Sequence, residues 1–360
     1  IELVSRKYGP VFSAPRAGKW STWTELSTLQ HFRSFISDKR NGQFILDPRS
    51  SPGHPWTPYG NDNAAVFGYQ PLFGYHGALV SALYDAVLAR FEKLEQEPYM
   101  DEIFPFIKQE PHKQSKLELG RYRLISGVGA TDQLVAELLF RGMLDAQMQY
   151  PVSSGVAIGW SPHLFGGIPH FNMHTAGMGV CADKSAWDWS VNGWMADAVE
   201  ELLSRWSGGE NDAIVRNHVR ALLGRKTFAF CGRKFRTLHP GVMPSGWKLT
   251  IYVNSLLQIL CHYVAGGKGE IVTMGDDTIQ EEEESQYWER LADLGPTIKE
   301  VVRDKREFCG MVFDRSAYYP VYRQKHAFLL RHLKEGVARE TLASYQYLYA
   351  YCPPQLAAIQ

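Results

Sequence analysis

The chain has no apolar run of the roughly 18–20 residues that a membrane-spanning helix requires. No basic-then-apolar stretch of the signal-peptide kind stands at its start. Its five cysteines, at 181, 231, 261, 309 and 352, form no C-x-x-C pair and no His/Cys zinc spacing. Their odd number also argues against a disulfide framework, and the simplest reading is reduced thiols in a cytoplasmic compartment. Charge of either sign is not in excess, with 38 basic against 38 acidic residues. That balance is unlike a protein that wraps duplex DNA by bulk charge, so any nucleic-acid site has to be a local basic channel. There is no internal repeat and no low-complexity segment. What is present is 360 residues, 45% of them hydrophobic, which is enough for a large core and more than one average domain. Charged residues make up 21%, near the globular norm, so an ordered chain is expected. The first residue is Ile1 rather than Met, as expected of a processed or trimmed chain.

Residues 1–75 are rich in Pro, Gly and aromatics and read as irregular and loop-rich. Apolar spacing predicts helices over 76–95, with Leu79, Leu83, Val87 and Phe91, and over 131–148, with Thr131 as cap. A short buried strand over 177–182 ends at Asp183, and a helix follows through 190–206. Hairpins are expected at 226–238, turning at Cys231-Gly232, and at 306–314. A long helix covers 247–265, then strands 270–274 and 278–280 flank a tight turn. A helix over 285–294 stops at Gly295-Pro296, and the tail is helical in part. The pattern is α+β with a small antiparallel sheet at its centre.

Four clusters carry chemistry. Asp276 and Asp277 follow Gly275 at the turn between the 270–280 strands. Adjacent carboxylates repel unless a cation sits there, and hard oxygen donors favour Mg²⁺ or Mn²⁺. Chance supplies one Gly-Asp-Asp in roughly a tenth of chains this long, so the turn alone decides little. Asp183, with Asp188 five residues on, could supply carboxylates from a second segment, as a metal pair ~3.5–4 Å apart requires. The plainer reading of Asp183 is a helix N-cap. Ser245-Gly246 precedes Thr250 and Asn254, which share a polar helix face suited to a sugar hydroxyl. A capping Ser before a solvated helix face is the plainer alternative. Lys108, Lys113, Lys116, Arg121 and Arg123 fall within sixteen residues that hold only Glu110 and Glu118 as acids. Arg121 and Arg123 alternate with Tyr122 as on one face of a strand, and paired guanidinium groups suit triphosphate oxygens. A solvated charged loop is the usual fate of such runs. Glu281 to Glu284 read as a solvated face.

Each cluster has a bland explanation, but their order has no shared one. Basic segment, D-x4-D, S-G-x3-T-x3-N and G-D-D resemble motifs F, A, B and C of viral RNA-dependent RNA polymerases. The run from Leu291 to Lys299 resembles motif D, and Glu307-Phe308-Cys309-Gly310 resembles the motif E hairpin. Asp188-Trp189-Ser190-Val191 and Met274-Gly275-Asp276-Asp277 look most like the sobemovirus, polerovirus and barnavirus branch of positive-strand RNA viruses. Lys108 to Ile125 is similar to picornaviral motif F.

The resemblance implies a right-hand polymerase. Its fingers would be 1–130, 151–175 and an insertion at 207–240. The palm would take a helix at 131–150, motif A in 176–206 and motifs B to E in 241–314, leaving 315–360 as a short thumb. Asp183 and Asp276 would bind two Mg²⁺ ions, replaceable by Mn²⁺. Asp277 is a softer ligand, and the Lys184 carbonyl could complete a shell. Lys299 matches the position proposed to protonate pyrophosphate, with a surface lysine as the alternative. Arg123 and Lys108 would meet the triphosphate, helped by Lys116 and Arg121. Asp188 and Asn254, supported by Ser245 and Thr250, would check the ribose 2′-hydroxyl. A polar Asp188 argues against a reverse transcriptase, where a bulky side chain excludes that hydroxyl. Trp247-Lys248-Leu249 departs from the small polar residues usual in the branch. Expected partners are template and product RNA, NTPs, a genome-linked protein primer and other viral replication proteins. The expected location is the host cytoplasm, in membrane-associated replication complexes. A non-catalytic RNA-binding protein and a two-metal nuclease are the rivals.

Overall fold

The computed structural model describes residues 1–12, 18–207, 209–333 and 335–360. The chain divides into two units. One comprises Ile1–Lys108, Arg123–Ala146 and Asp188–Val253; the other comprises Gln109–Tyr122, Gln147–Trp187 and Asn254–Gln360.

The second unit is built on a four-stranded antiparallel sheet. Its strands run in the order Ile271–Met274, Asp277–Gln280, Val180–Ser185, Thr297–Val302. Ile279 lies opposite Cys181, and Val301 lies opposite Ala182. Side chains alternate across a strand, so Cys181, Val272 and Ile279 turn to one core with Phe171 and Met178. A second sheet of Arg306–Phe308, Met311–Phe313 and Tyr318–Pro320 adds Phe308, Phe313 and Tyr318 to that core. The strand that begins at Val180 does not end at Asp183; it continues to Ser185. Asp183 is therefore mid-strand, opposite Glu300, and is not a helix cap. A turn of helix at Trp187–Ser190 and the helix Gly193–Ser207 follow.

The helix Thr250–Val264 is apolar nearly all round, the pattern of a buried helix. Residues 252–262 are all buried, so the plainer alternative of a solvated helix face does not hold there. Lys299 lies in the strand Thr297–Val302, where the register slips between Ile298 and Glu300. Such a bulge re-aims a side chain.

In the first unit, helices Leu79–Gln96, Gly193–Ser207 and Asp212–Leu223 pack around Leu83, Val87, Phe91, Val199 and Leu222. Arg90 is buried and pairs with Asp132 and with Asp101, the latter at 2.9 Å. Thr131 is not a cap. It lies inside the helix Ala130–Gln149 and accepts the Trp56 indole hydrogen at 3.2 Å. Residues 1–75 hold more regular structure than expected, including helices Glu2–Phe12 and Leu29–Ser37. The aromatics, not the turn residues, organise this part: Trp20 stacks on Phe91 at 5.1 Å, and Phe32 meets Tyr84 at 5.2 Å. The hairpin Thr227–Phe230 with Arg233–Arg236 turns at Cys231-Gly232, as expected. Arg121 and Arg123 precede the strand Leu124–Gly127 rather than lying in it, so they share no strand face.

Candidate active site

The strands Ile271–Met274 and Asp277–Gln280 are joined by a two-residue turn, Gly275-Asp276, with Met274 opposite Asp277. Gly275 has φ 66°, a left-handed conformation at the first turn position that glycine alone adopts without strain. The turn is fixed from below by the helix Thr250–Val264. Ser255 Oγ accepts the Gly275 N–H at 2.8 Å, and Gln258 donates to the Asp276 carbonyl at 3.1 Å. Neither residue was singled out from the sequence. Ser255, Gln258 and His262 at i, i+3 and i+7 form a polar stripe on an apolar helix, which was the available signal.

Thr278, next to Asp277, lies opposite Ala182, next to Asp183. That register brings Asp183, on one strand, to Asp277 on the next and to Asp276 in the turn before it. Asp277 is pushed up to about 7, first by desolvation and then by the charges of Asp276 and Asp183. Lys299, from the bulge, donates to Asp183, and that bond holds the ammonium above its usual range. The Lys184 side chain is buried and donates to Thr278 Oγ1 at 3.0 Å. Burial lowers it to about 8, against the pull of Cys261 and the three aspartates. Nothing in the sequence marks this ammonium as buried, since lysines are mostly exposed. Cys309 and Tyr322 also stand within electrostatic reach of Asp277. The Tyr322 ring packs on Gly310, where an added Cβ would lie 3.0 Å from it.

Among the described residues, no three His, Cys, Asp or Glu side chains already close round a metal position. Asp183 is engaged with Lys299 instead. The donor set nevertheless suits a hard divalent cation: three neighbouring carboxylates raise the cost of one another's ionisation, and a cation would relieve it.

The other candidates are placed as follows. Asn254 is buried, in the second unit; Asp188 is the second residue of the turn of helix Trp187–Ser190 and belongs to the first, and its carbonyl accepts the Met243 N–H at 2.8 Å. The Ser245-Gly246 loop is tied to the strand Leu124–Gly127 and to the helix Ala130–Gln149. Ser245 Oγ accepts the Ser126 N–H at 3.0 Å, and Gln133 donates to the Gly246 carbonyl. A Cβ at Gly246 would run into the Ser126 carbonyl. Thr250 donates to the Pro244 carbonyl at 2.6 Å. Trp247 is buried and donates to His218, and Lys248 pairs with Glu137, so this unusual stretch serves packing. Lys108 N–H binds the Arg123 carbonyl at 2.8 Å. Lys116 and Arg121 lie in the second unit, joined by Arg121 N–H to the Lys116 carbonyl at 2.8 Å, and both are exposed. Glu283 is not solvated, since it accepts the N–H groups of Lys268 and Gly269. Glu282 and Glu284 pair with Arg303 and Arg290. All five cysteines are free thiols.

Residues 67–305 match the family model described as viral RNA-dependent RNA polymerase. The chain belongs to that family. It is 29% identical over 356 residues to the RNA-directed RNA polymerase of Mushroom bacilliform virus, spanning 86% of this chain and 81% of that protein. It is 30% identical over 261 residues to Protein P1-P2 of Potato leafroll virus, spanning 67% of this chain but only 24% of that protein. Relatives from the barnavirus, polerovirus and sobemovirus branch therefore place it among polymerases of positive-strand RNA viruses. The Sicinivirus 3Dpol RNA dependent RNA polymerase has a similar fold, with a TM-score of 0.71 over 99% of this chain and 83% of that one, at 16% identity. The fold is thus the right-hand polymerase fold. No described helix is long and apolar enough to cross a membrane.

Proposed function

We propose that this chain copies a viral RNA genome, joining NTPs to an RNA 3′-hydroxyl with release of pyrophosphate. The observation that carries this reading is the meeting of Asp183 and Asp277 on adjoining strands with Asp276 in the turn beside them, where desolvation and then the neighbouring charges lift Asp277 to about 7. Asp183 and Asp276 are the principal ligands for two divalent cations, Mg²⁺ or Mn²⁺, with Asp277 and the Lys184 carbonyl as further donors. Such cations supply charge neutralisation for an in-line phosphoryl transfer. Lys299 stays protonated beside Asp183 and is placed to give its proton to the departing pyrophosphate. Lys108, Lys116, Arg121 and Arg123 take the triphosphate through charge-assisted hydrogen bonds. Asp188 and Asn254 test the 2′-hydroxyl, and the docked Ser245 and Thr250 hold the loop and helix start that frame them.

In this reading the fingers are 1–130, 151–175 and 207–240, the palm is 131–150, 176–206 and 241–314, and the thumb is 315–360. RNA and NTPs are its substrates. A genome-linked protein primer, other replication proteins and a membrane-associated cytoplasmic complex complete the setting. Primer extension on a self-annealing template with Mg²⁺ or Mn²⁺ tests the function. The wild type should extend RNA only when all four NTPs are present, and Asp276→Asn should lose extension by about 10²-fold or more. Equal extension by the variant, or RNA degradation without NTPs, would remove the polymerase reading in favour of a binding protein or a nuclease.

A further inference from the structure

A cavity of about 680 Å³ opens in the first unit, and none of its lining residues is a catalytic candidate. Five cations line it, Arg220, Arg225, Lys226, Lys234 and Arg236, against two carboxylates, Asp101 and Glu102. The chain as a whole is neutral, so this is a local excess. Most of these groups are already spoken for. Asp101 pairs with Arg90 at 2.9 Å, and Glu102 with Lys234 at 2.5 Å. Arg220 makes two bonds to Glu200, at 2.6 and 2.7 Å. The Lys226 amine gives its hydrogens to the carbonyls of Gly224, Gly241 and Val242.

Arg225 and Arg236 are different. Both are exposed, and neither guanidinium makes a hydrogen bond or ion pair among the described residues. They come from the open end of one hairpin, where Arg236 lies opposite Thr227, two residues past Arg225. Two guanidinium forks issuing from one hairpin end into a charged cavity suit tetrahedral oxyanions, which they bind bidentately. The volume matches a nucleotide-sized ligand. We propose that this cavity is a phosphate-binding site, taking the phosphates of a nucleotide or of an RNA strand through Arg225 and Arg236. The choice of phosphate over other anions rests on the polymerase reading; the charge excess does not.

The test is equilibrium binding of the full chain in EDTA to GTP, to inorganic triphosphate and to a short 5′-hydroxyl oligouridine. The double variant Arg225→Gln/Arg236→Gln should weaken at least one of these by about fivefold or more. Weakening of GTP and triphosphate alone identifies a free nucleotide as the ligand. Weakening of the oligouridine, with the slope of log Kd against log salt reduced by about two, identifies an RNA strand. If all three affinities stay within about twofold and the salt slope is unchanged, the site does not exist. Should the double variant melt early, the two single variants carry the same comparison. Primer extension is not read here, so loss of this site and loss of the polymerase reading are separate results.

Discussion

Asp183 sits at the middle of the central strand, with the Lys299 ammonium on its carboxylate. A lysine so placed holds Asp183 and, in the proposed mechanism, delivers a proton, and substitution separates the two. Lys299→Arg keeps a cation for Asp183 but removes the titratable donor, because guanidinium does not give up its proton at accessible pH. Single-nucleotide incorporation should slow by about 10²-fold, and the alkaline limb of its pH–rate profile should disappear. If rate and profile match the wild type, Lys299 only positions Asp183. Asp276 and Asp277 could be read from sequence because Gly275 and the flanking β-type residues mark a hairpin. The Lys184 ammonium and the Lys299 bulge could not. A buried lysine looks like any other in sequence, and a bulge is defined only by the partner strand.

The helix Thr250–Val264 shows the same division among elements. Its apolar periodicity predicted its length to within a few residues. The polar face of Thr250 and Asn254 was legible too, but not its burial: residues 252–262 are enclosed, which removes the alternative of a solvated face there. Burial of polar groups requires partners, and Ser255 finds one in the catalytic turn. Ser255→Ala should leave the Gly275 N–H without its acceptor, at a cost of about 1–3 kcal/mol. The larger consequence should be in kcat, with the KM for NTP little changed, since the turn carries Asp276 and not the triphosphate cluster. Steady-state incorporation kinetics beside a melting curve would measure both. A variant stable and active as wild type would show that Gln258 alone holds the turn. The N-terminal helices were missed for another reason: dense Pro and Gly masked aromatics whose partners, such as Phe91, lie far along the chain.

For the whole molecule, electroneutrality hides groups that burial keeps from titrating normally. His218 is fully buried and accepts the Trp247 indole hydrogen at 3.3 Å. Burial, aided by the Arg90 charge, lowers it to about 3. In the unfolded chain it titrates near about 6.5. Between these values the unfolded chain binds a proton that the folded chain refuses. Its contribution to stability is therefore full above about pH 6.5 and is lost as pH falls towards 3, by at most about 1.4 kcal/mol per pH unit. Urea midpoints measured from pH 7.5 to 4.5 should fall less steeply for His218→Gln, which keeps an acceptor for Trp247, than for the wild type. Parallel slopes would mean that other groups govern acid unfolding. The fold class was legible at this scale because motif order survives where single motifs do not persuade. The two-unit division was not, since each unit is assembled from three separated stretches.

Asn254 and Ser255 are consecutive residues, one assigned to the sugar test and the other bonded to the catalytic turn. A rigid helix cannot shift one without the other. On the proposed reading, a drift that relaxes sugar selection also slackens the turn that carries Asp276, and a variant selected for looser substrate choice should be slower as a direct result. On that reading, accuracy and speed are joined at a single peptide bond.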